Sequence, residues 1–327
     1  MRLRIASFNL ESLDDGPRAA APLDARIAIL RPQLERADAD VLCLQEINGQ
    51  RDEAGAPRRL RALDALLADT PYAEMGRVAT HNADAPGVLQ AHNLVILSRH
   101  PIREQTQVWN DLVPAPVHRF LAADPPDDAP VPVPWDRPLL HARIEVGGRS
   151  LHVLNLHLRA PLASVVPGQK AGSFAWKTTG GWAEGFYLSA LKRAGQALEA
   201  RLLVDRIFDT EPDALVAVTG DCNAELRETA VRLLRADDED TGNGALAGRA
   251  LIPVEGSLAE ERRFTVIHAG RRVMLDHLLA SRALMAQFRA AEIHNEMLGD
   301  ELIAYASVEA SPESYHAPLV AEFAFKD

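Results

Sequence analysis

Short apolar runs recur along the chain, and most of them end on a polar side chain. The first, "LRIASFNL" (Leu3–Leu10), reads as a strand from almost the first residue. "DVLCLQEI" (40–47), "HNLVILSR" (92–99) and "LVAVTGD" (215–221) read as further buried strands. "PLLHARIEV" and "SLHVLNLHL", split by Gly147-Gly148, predict a hairpin, and "RRFTVIHA", "VMLDHLLAS" and "APLVAEFAF" add strands near the end. Between them the apolar spacing changes to three and four. Ile27, Leu30 and Leu34 predict a helix over Arg26–Ala37, with others over Leu60–Leu67, about Leu188–Phe208 and near Glu225–Leu234. Two stretches fit neither period: 102–138, which contains "DPPDDAPVPVPW", and 160–187, where Gly, Trp and Lys are mixed. Both are expected to be irregular insertions at the surface, as is the acidic loop "ADDEDTGNG".

Most of the strands are apolar on both faces, so each sheet needs cover on both sides. Roughly ten strand candidates fit two packed sheets better than one. No repeat or linker divides the chain, and one domain over residues 1–327 is expected.

Composition narrows the function. Hydrophobic residues make up 47% and charged residues 25%, an ordinary globular balance. The net charge of −11 disfavours a protein that lives on nucleic-acid backbones or anionic membranes. Bound divalent cations can still reverse the field at one site. Cys43 and Cys222 have no CxxC spacing and read as buried, reduced thiols. No apolar stretch is long enough for a signal peptide or a membrane span, so a cytoplasmic location is expected.

The candidate chemistry sits where the strands end. Asn9 and Glu11 close the first strand, Glu46 the second, Asn155 and His157 the hairpin, and Asp221 and Asn223 the run "VAVTGDCN". Asn93 opens "NLVILS", Asp276 and His277 interrupt "VMLDHLLAS", and His316 precedes the last strand. Asp221 and Asn223, two apart, would share a face of an extended chain, although Gly-Asp-x-Asn is also good turn chemistry. Carboxylates in apolar contexts at Glu46, Asp221 and Asp276 cost several kcal/mol each unless paired or metal-bound. A shared divalent cation accounts for all three, and oxygen donors with histidines nearby suit metal-assisted phosphoester hydrolysis.

"SFNLE", "LCLQE", "HNLVILSR", "LNLHL", "TGDCNAE", "MLDHLLAS" and "YHAPLVAEF" stand in this order over nearly the whole chain. In this the chain resembles the endonuclease/exonuclease/phosphatase superfamily, the metal-dependent phosphoesterases similar to deoxyribonuclease I. The resemblance implies a four-layer α/β sandwich, with two mixed β-sheets face to face and helices outside. It implies Mg²⁺, with Mn²⁺ as the alternative, at Glu46 with Asn9 and Glu11. It also implies that Asp221 aligns or deprotonates the attacking water, that Asn223 holds a phosphate oxygen and that His157 donates to the phosphoryl group or leaving group. His316 would be the second catalytic histidine, oriented by Asp276. One position departs: the usual Ser-Asp-His reads Ser314-Tyr315-His316 here, replacing a carboxylate near the metal by a phenol.

Substrate identity stays open among three readings. A small-molecule or lipid-type phosphoester is favoured, because Phe174, Trp176, Trp182, Phe186 and Tyr187 between Ser164 and Tyr187 could line a lid. Lys170 and Lys177 would be available there to an anionic group, with Asn93 and Tyr315 as further candidate substrate contacts. The alternatives are an endo- or exonuclease acting on DNA or RNA, and a binding protein whose site is weakened by Tyr315. Alternation turns His277 away from Asp276, so it reads as a packed or surface histidine. Trp109 and Trp135 read as anchors pinning the proline-rich loop.

Overall fold

The computed structural model describes residues 1–17, 19, 21–127, 129–302 and 311–325. The first half holds β1 (Arg2–Leu13), β2 (Val41–Ile47), β3 (Gly76–Ala79), β4 (Asn93–Ser98), β5 (Ile102–Val108), β6 (Val117–His118) and β7 (Val131–Pro132). The hairpin β8 (Leu139–Val146) and β9 (Arg149–His157) is followed by β10 (Leu215–Asp221), β11 (Leu251–Pro253), β12 (Val266–His268) and β13 (Arg271–Val273). The last strands are β14 (Asp276–Ser281), β15 (Phe288–Ile293) and β16 (Leu319–Ala324). The helices are α1 (Leu23–Ala37), α2 (Arg61–Leu67), α3 (Thr179–Thr210), α4 (Thr229–Arg235) and the short α5 (Asp238–Thr241) and α6 (Arg282–Met285).

Two six-stranded mixed sheets form, in the orders β15-β16-β1-β2-β4-β3 and β11-β14-β10-β9-β8-β5. Their inner faces meet in one apolar core: Leu3, Ile5, Val41 and Cys43 of the first against Leu140, Ile144, Val153 and Ala217 of the second. Phe8, Leu42 and Leu44 face outward from the first sheet and pack on Leu30, Leu34 and Leu63 of α1 and α2. On the other side Leu154, Val216 and Val218 pack on Ala197, Ala200 and Val204 of α3 and on Val231 of α4. The layers therefore run helix, sheet, sheet, helix, the expected sandwich. Strands apolar on both faces are covered on both faces, which is why the alternation of a half-exposed strand is missing from the sequence.

Each sheet contains one parallel pair at its centre, β1 with β2 and β9 with β10. Parallel pairing sets carboxyl ends side by side, so both sheets present strand ends to the same rim. β14 joins antiparallel to β10, with Asp276 opposite Asp221.

Several expected boundaries shift. The 102–138 stretch begins with an edge strand, β5, whose polar sequence "REQTQ" hid it because Arg103 to Thr106 are exposed on both faces. The long helix starts at Thr179 rather than near Leu188, capped by Thr178, whose hydroxyl accepts from Gly181 N at 3.0 Å. Gly180 and Gly181 thus lie inside a helix, and Trp182, Phe186 and Tyr187 ride on its first turns. Trp109 and Trp135 do act as anchors. Trp109 Nε1 donates to Trp135 O, and Trp135 Nε1 donates to the buried Glu199 of α3, both at 2.8 Å.

One polar group ties the two sheets together in the core. Pairing between β2 and β4 slips register between Leu44 and Ile47. Asn155 of β9 reaches across and donates to Leu44 O at 3.0 Å and Val95 O at 2.9 Å, while accepting from Gln45 Nε2 at 2.8 Å. Asn155→Leu keeps the branched shape and leaves those groups unpaired in the core, so a loss of about 3 kcal/mol or more is expected. Urea unfolding with an unchanged slope would measure it. A loss below about 1 kcal/mol would show that the sheets are held by apolar packing alone.

Candidate active site

The chain leaves regular geometry where its polar residues gather. Glu11, Ser12, Glu46 and Asn223 all have positive φ, of 48°, 55°, 60° and 48°. Non-glycine residues in this region cost about 1–3 kcal/mol each and persist only where surroundings over-determine them. Here the surroundings are hydrogen bonds. Ser12 N and Oγ each donate to Glu46 Oε2 at 3.1 Å, and Glu11 N donates to Asn9 Oδ1 at 2.9 Å. Arg26 of α1 donates to the carbonyls of Leu10 at 2.6 Å and Glu11 at 2.8 Å. Asn223 N closes a turn on Asp221 Oδ1 at 2.8 Å, the alternative the tetrapeptide left open, so strand alternation has already stopped there. Gly220, at φ 134°, is obligatory because a Cβ would lie 1.9 Å from Leu156 O.

Asn9, 0% exposed, bridges the sheets at this rim. Its Nδ2 lies 3.1 Å from both Glu46 Oε1 and Asp221 Oδ2. Because Oδ1 accepts a backbone N–H, the amide presents its NH₂ and not its oxygen to the carboxylates. His157 Nε2 faces the same two groups, at 3.6 Å from Glu46 Oε1 and 3.4 Å from Asp221 Oδ2. Asn223 Nδ2 donates to Asp221 Oδ2 and to Leu158 O, each at 3.1 Å. Opposite stands His316, its Nδ1 2.8 Å from Asp276 Oδ2. Its loop is fastened by Ser314 Oγ to Asn9 O at 2.7 Å and by Tyr315 N to Glu11 Oε2 at 2.9 Å.

The environments separate the charges. Burial would raise the Glu46 carboxyl, but the His92 hydrogen bond and the nearby His157 hold it well below the usual range. Burial pushes Asp221 up to about 7, helped by Asp276 and Glu46 and opposed by His316. Burial and the Arg137 guanidinium hold His157 well below its ordinary value. Burial would lower His316 too, but Asp276 and Asp221 raise it well above.

Two sets of donor atoms, Glu46–His92–His157 and Asp221–Asp276–His316, each lie within 4.8 Å of one another. Asp276 Oδ1 is a buried atom with no hydrogen-bond partner. Carboxylate oxygens with an orphaned acceptor fit a divalent cation.

Other expected contacts lie elsewhere. Asn93 is 0% exposed and spends its whole amide on the scaffold, accepting from Leu89 N and Thr80 Oγ1 and donating to Ile47 O and Leu89 O. It has no group left for substrate. Lys170 sits 4.3 Å from the Trp176 ring of its own loop, and Lys177 lies 3.9 Å from Asp124 of the proline-rich stretch. Tyr315 is 3% exposed and contributes its backbone N–H, not an open phenol. His277 is packed, as alternation requires, with Nδ1 2.6 Å from Glu255 Oε1 and Nε2 2.9 Å from Ala224 O. Ser12, His92 and Arg137 were not foreseen. His92, at φ 54° directly before a buried strand, carried a weak local signal; Arg137, in the proline-rich stretch, carried none.

The sequence profile of the Endonuclease/Exonuclease/phosphatase family matches residues 6–297. The chain belongs to that family, whose members are divalent-metal-dependent phosphoester hydrolases. No curated protein sequence matches it. A truncated TDP2 of Caenorhabditis elegans is similar at 17% identity and a TM-score of 0.57, over 99% of this chain and 97% of that one. A mannosyl-6-phosphatase of Bacteroides thetaiotaomicron is similar at 15% identity and a TM-score of 0.59, over 99% of this chain and 100% of the other. TDP2 of D. rerio, solved with a single-strand DNA product, is similar at 16% identity and a TM-score of 0.56, over 99% of both chains. At such identities the likeness is one of fold.

The raised Asp221 has a signed consequence. Between an unfolded value near 4 and a folded value of about 7, the folded chain holds a proton that the unfolded chain has lost. Stability contributed by Asp221 is therefore present at low pH and falls as pH rises through that window. In the absence of divalent ions, the stability of wild type relative to Asp221→Asn is expected to decline from about pH 4.5 to about 7. Urea midpoints of the two proteins across that range measure it, and a constant difference would mean that Asp221 titrates normally.

Proposed function

We propose that this chain hydrolyses a phosphoester at the rim where the two sheets meet, with Mg²⁺ as its cofactor and Mn²⁺ able to replace it. The observation that carries the reading is the convergence of Glu46, Asp221 and His157 on Asn9, with the His316–Asp276 pair beside them. Glu46, kept ionised, would be the principal ligand of the cation. When bound, the cation would neutralise charge on the phosphoryl oxygens. Asn9 serves by fixing the two carboxylates, and Glu11 by anchoring the His316 loop. Asp221, poised near neutrality and fixed by Asn9 and Asn223, accepts the proton of the attacking water. Asn223, both of whose amide hydrogens are given to Leu158 O and Asp221 Oδ2, holds Asp221 in place. His157 Nε2 donates to a phosphoryl oxygen, and His316, held as a cation by Asp276, stabilises the developing charge.

For the substrate we favour a small-molecule or lipid-type phosphoester. A groove of about 450 Å³ opens beside Asn223, with Leu162, Val266, Val273 and Leu275 as apolar walls. Glu225, Glu228 and Glu301 also face it, against His268 and Arg271, which suits one phosphate better than a strand of them. Exposed Phe174, Trp182 and Tyr187 offer flat apolar surface to the non-reacting part of the substrate. Nuclease action is the second reading, supported by the fold shared with TDP2 solved on single-strand DNA. We also read the chain as one domain, because both sheets supply the site. Free Cys43 and Cys222 support a reducing, cytoplasmic setting. Among the described residues no helix is long and apolar enough to cross a membrane.

A panel of phosphomonoesters, phosphodiesters and single-stranded DNA, assayed with Mg²⁺ and Mn²⁺, tests the reading. Activity is expected on the small esters and is lost with chelator. Asp221→Asn and His316→Ala are each expected to cost roughly 10²–10⁴ in kcat, and Glu46→Gln to weaken metal binding measured by calorimetry. Normal turnover in Glu46→Gln would move the metal elsewhere. Activity on DNA alone would favour the nuclease.

A further inference from the structure

Arg137 lies in the loop leading into β8, is 7% exposed, and is held by its backbone carbonyl, which accepts from Gln196 Nε2 of α3 at 2.9 Å. Its guanidinium Nη1 is hydrogen-bonded to His157 Nδ1. The neighbouring Asp136 is occupied by Lys192 and by Arg159, whose Nη1 lies 3.2 Å away, so Arg137 is not neutralised from that side.

The chemistry of these partners places a proton. A guanidinium has five donors, no acceptor and no accessible neutral form. Nδ1 of His157 must therefore accept, and it carries no hydrogen. In a neutral imidazole the proton then sits on Nε2, which is the atom that faces Glu46 Oε1 and Asp221 Oδ2. An Nε2–H has no lone pair for a metal ion, although Nε2 lies among atoms whose spacing would suit one. A second proton has nowhere to go, because Nδ1 is occupied by a cation.

We propose that Arg137 is a positioning residue that fixes His157 as a neutral imidazole with its proton on Nε2. His157 then gives a phosphoryl oxygen a hydrogen bond of fixed direction, and it neither ligates the metal nor carries a proton between steps. The use of that hydrogen bond rests on the site being a phosphoester hydrolase; the tautomer does not. His316 has the opposite arrangement. Its Nδ1 meets a carboxylate instead of a cation, so the proton traffic of the reaction falls to His316 and Asp221.

The test is ¹⁵N NMR of the full chain labelled at histidine nitrogens, without metal and with Mg²⁺, using His157→Gln to assign the signals. In wild type, His157 Nδ1 is expected to resonate as an unprotonated nitrogen and Nε2 as a protonated one, from about pH 6 to about 8, unchanged by Mg²⁺. Arg137→Met removes the donor. His157, now facing two carboxylates alone, is expected to take up a second proton or mix its tautomers, with kcat falling about tenfold or more and KM nearly unchanged. Arg137→Lys keeps a donor and is expected to recover part of both. A protonated Nδ1 in wild type, an Nε2 signal moved by Mg²⁺, or an unaltered tautomer in Arg137→Met would each overturn the proposal. Should Arg137→Met not fold, the wild-type spectrum decides alone. Because the spectra need no substrate, they can fail while the hydrolase reading stands, and the reverse.

Discussion

One amide shared between two sheets organises this protein's polar rim. Asn9, in the last part of β1, reaches Glu46 on the neighbouring strand and Asp221 on the opposite sheet, at 3.1 Å each. Two carboxylates this close, both largely out of water, repel one another and are costly unless each is hydrogen-bonded. Asn9 supplies a donor to both at once, and it cannot turn over, because its oxygen is committed to the Glu11 backbone. The two carboxylates divide as a result. Glu46, with Ser12 and His92 around it, stays ionised, while Asp221 is pushed up to about 7. Separation of this kind assigns fixed charge to one group and proton transfer to the other.

The same logic of opposed partners governs the histidines. His157 meets the Arg137 cation and His316 meets the Asp276 anion, so one ring is held neutral and the other charged within one site. Topology makes this possible. Parallel pairs at the centre of each sheet bring four strand ends to one rim, and the antiparallel β14 delivers Asp276 directly opposite Asp221. The backbone is strained there, at Glu11, Ser12, Glu46 and Asn223, and relaxed where the sheets pack.

Much of this was legible in the sequence, for a physical reason. A strand buried on both faces must be apolar throughout, so a carboxylate or histidine at its end or interrupting its run stands out; Glu46, His157 and Asp221 were singled out in the first way and Asp276 in the second. Asn93 and Asn155 look the same in sequence and do other work. A buried amide can be saturated by backbone carbonyls at a register slip, and such a slip leaves no mark in the residue pattern. The edge strand β5 was hidden by its solvent-facing polar residues. The start of α3 was hidden by two glycines that a Thr178 cap makes tolerable. Arg137 was out of reach, because only the tertiary fold carries a residue of the proline-rich stretch against His157.

The dependence of the rim on the Asn9 bridge is tested most directly by a double-mutant cycle on stability. Glu46→Gln, Asp221→Asn and the double variant are unfolded in urea near pH 8 without divalent ions. If the two carboxylates from different sheets act as one unit through Asn9, their effects are non-additive, with a coupling of about 1 kcal/mol or more. Additivity within about 0.5 kcal/mol would contradict it, and would mean that Glu46 and Asp221 are neighbours without being joined.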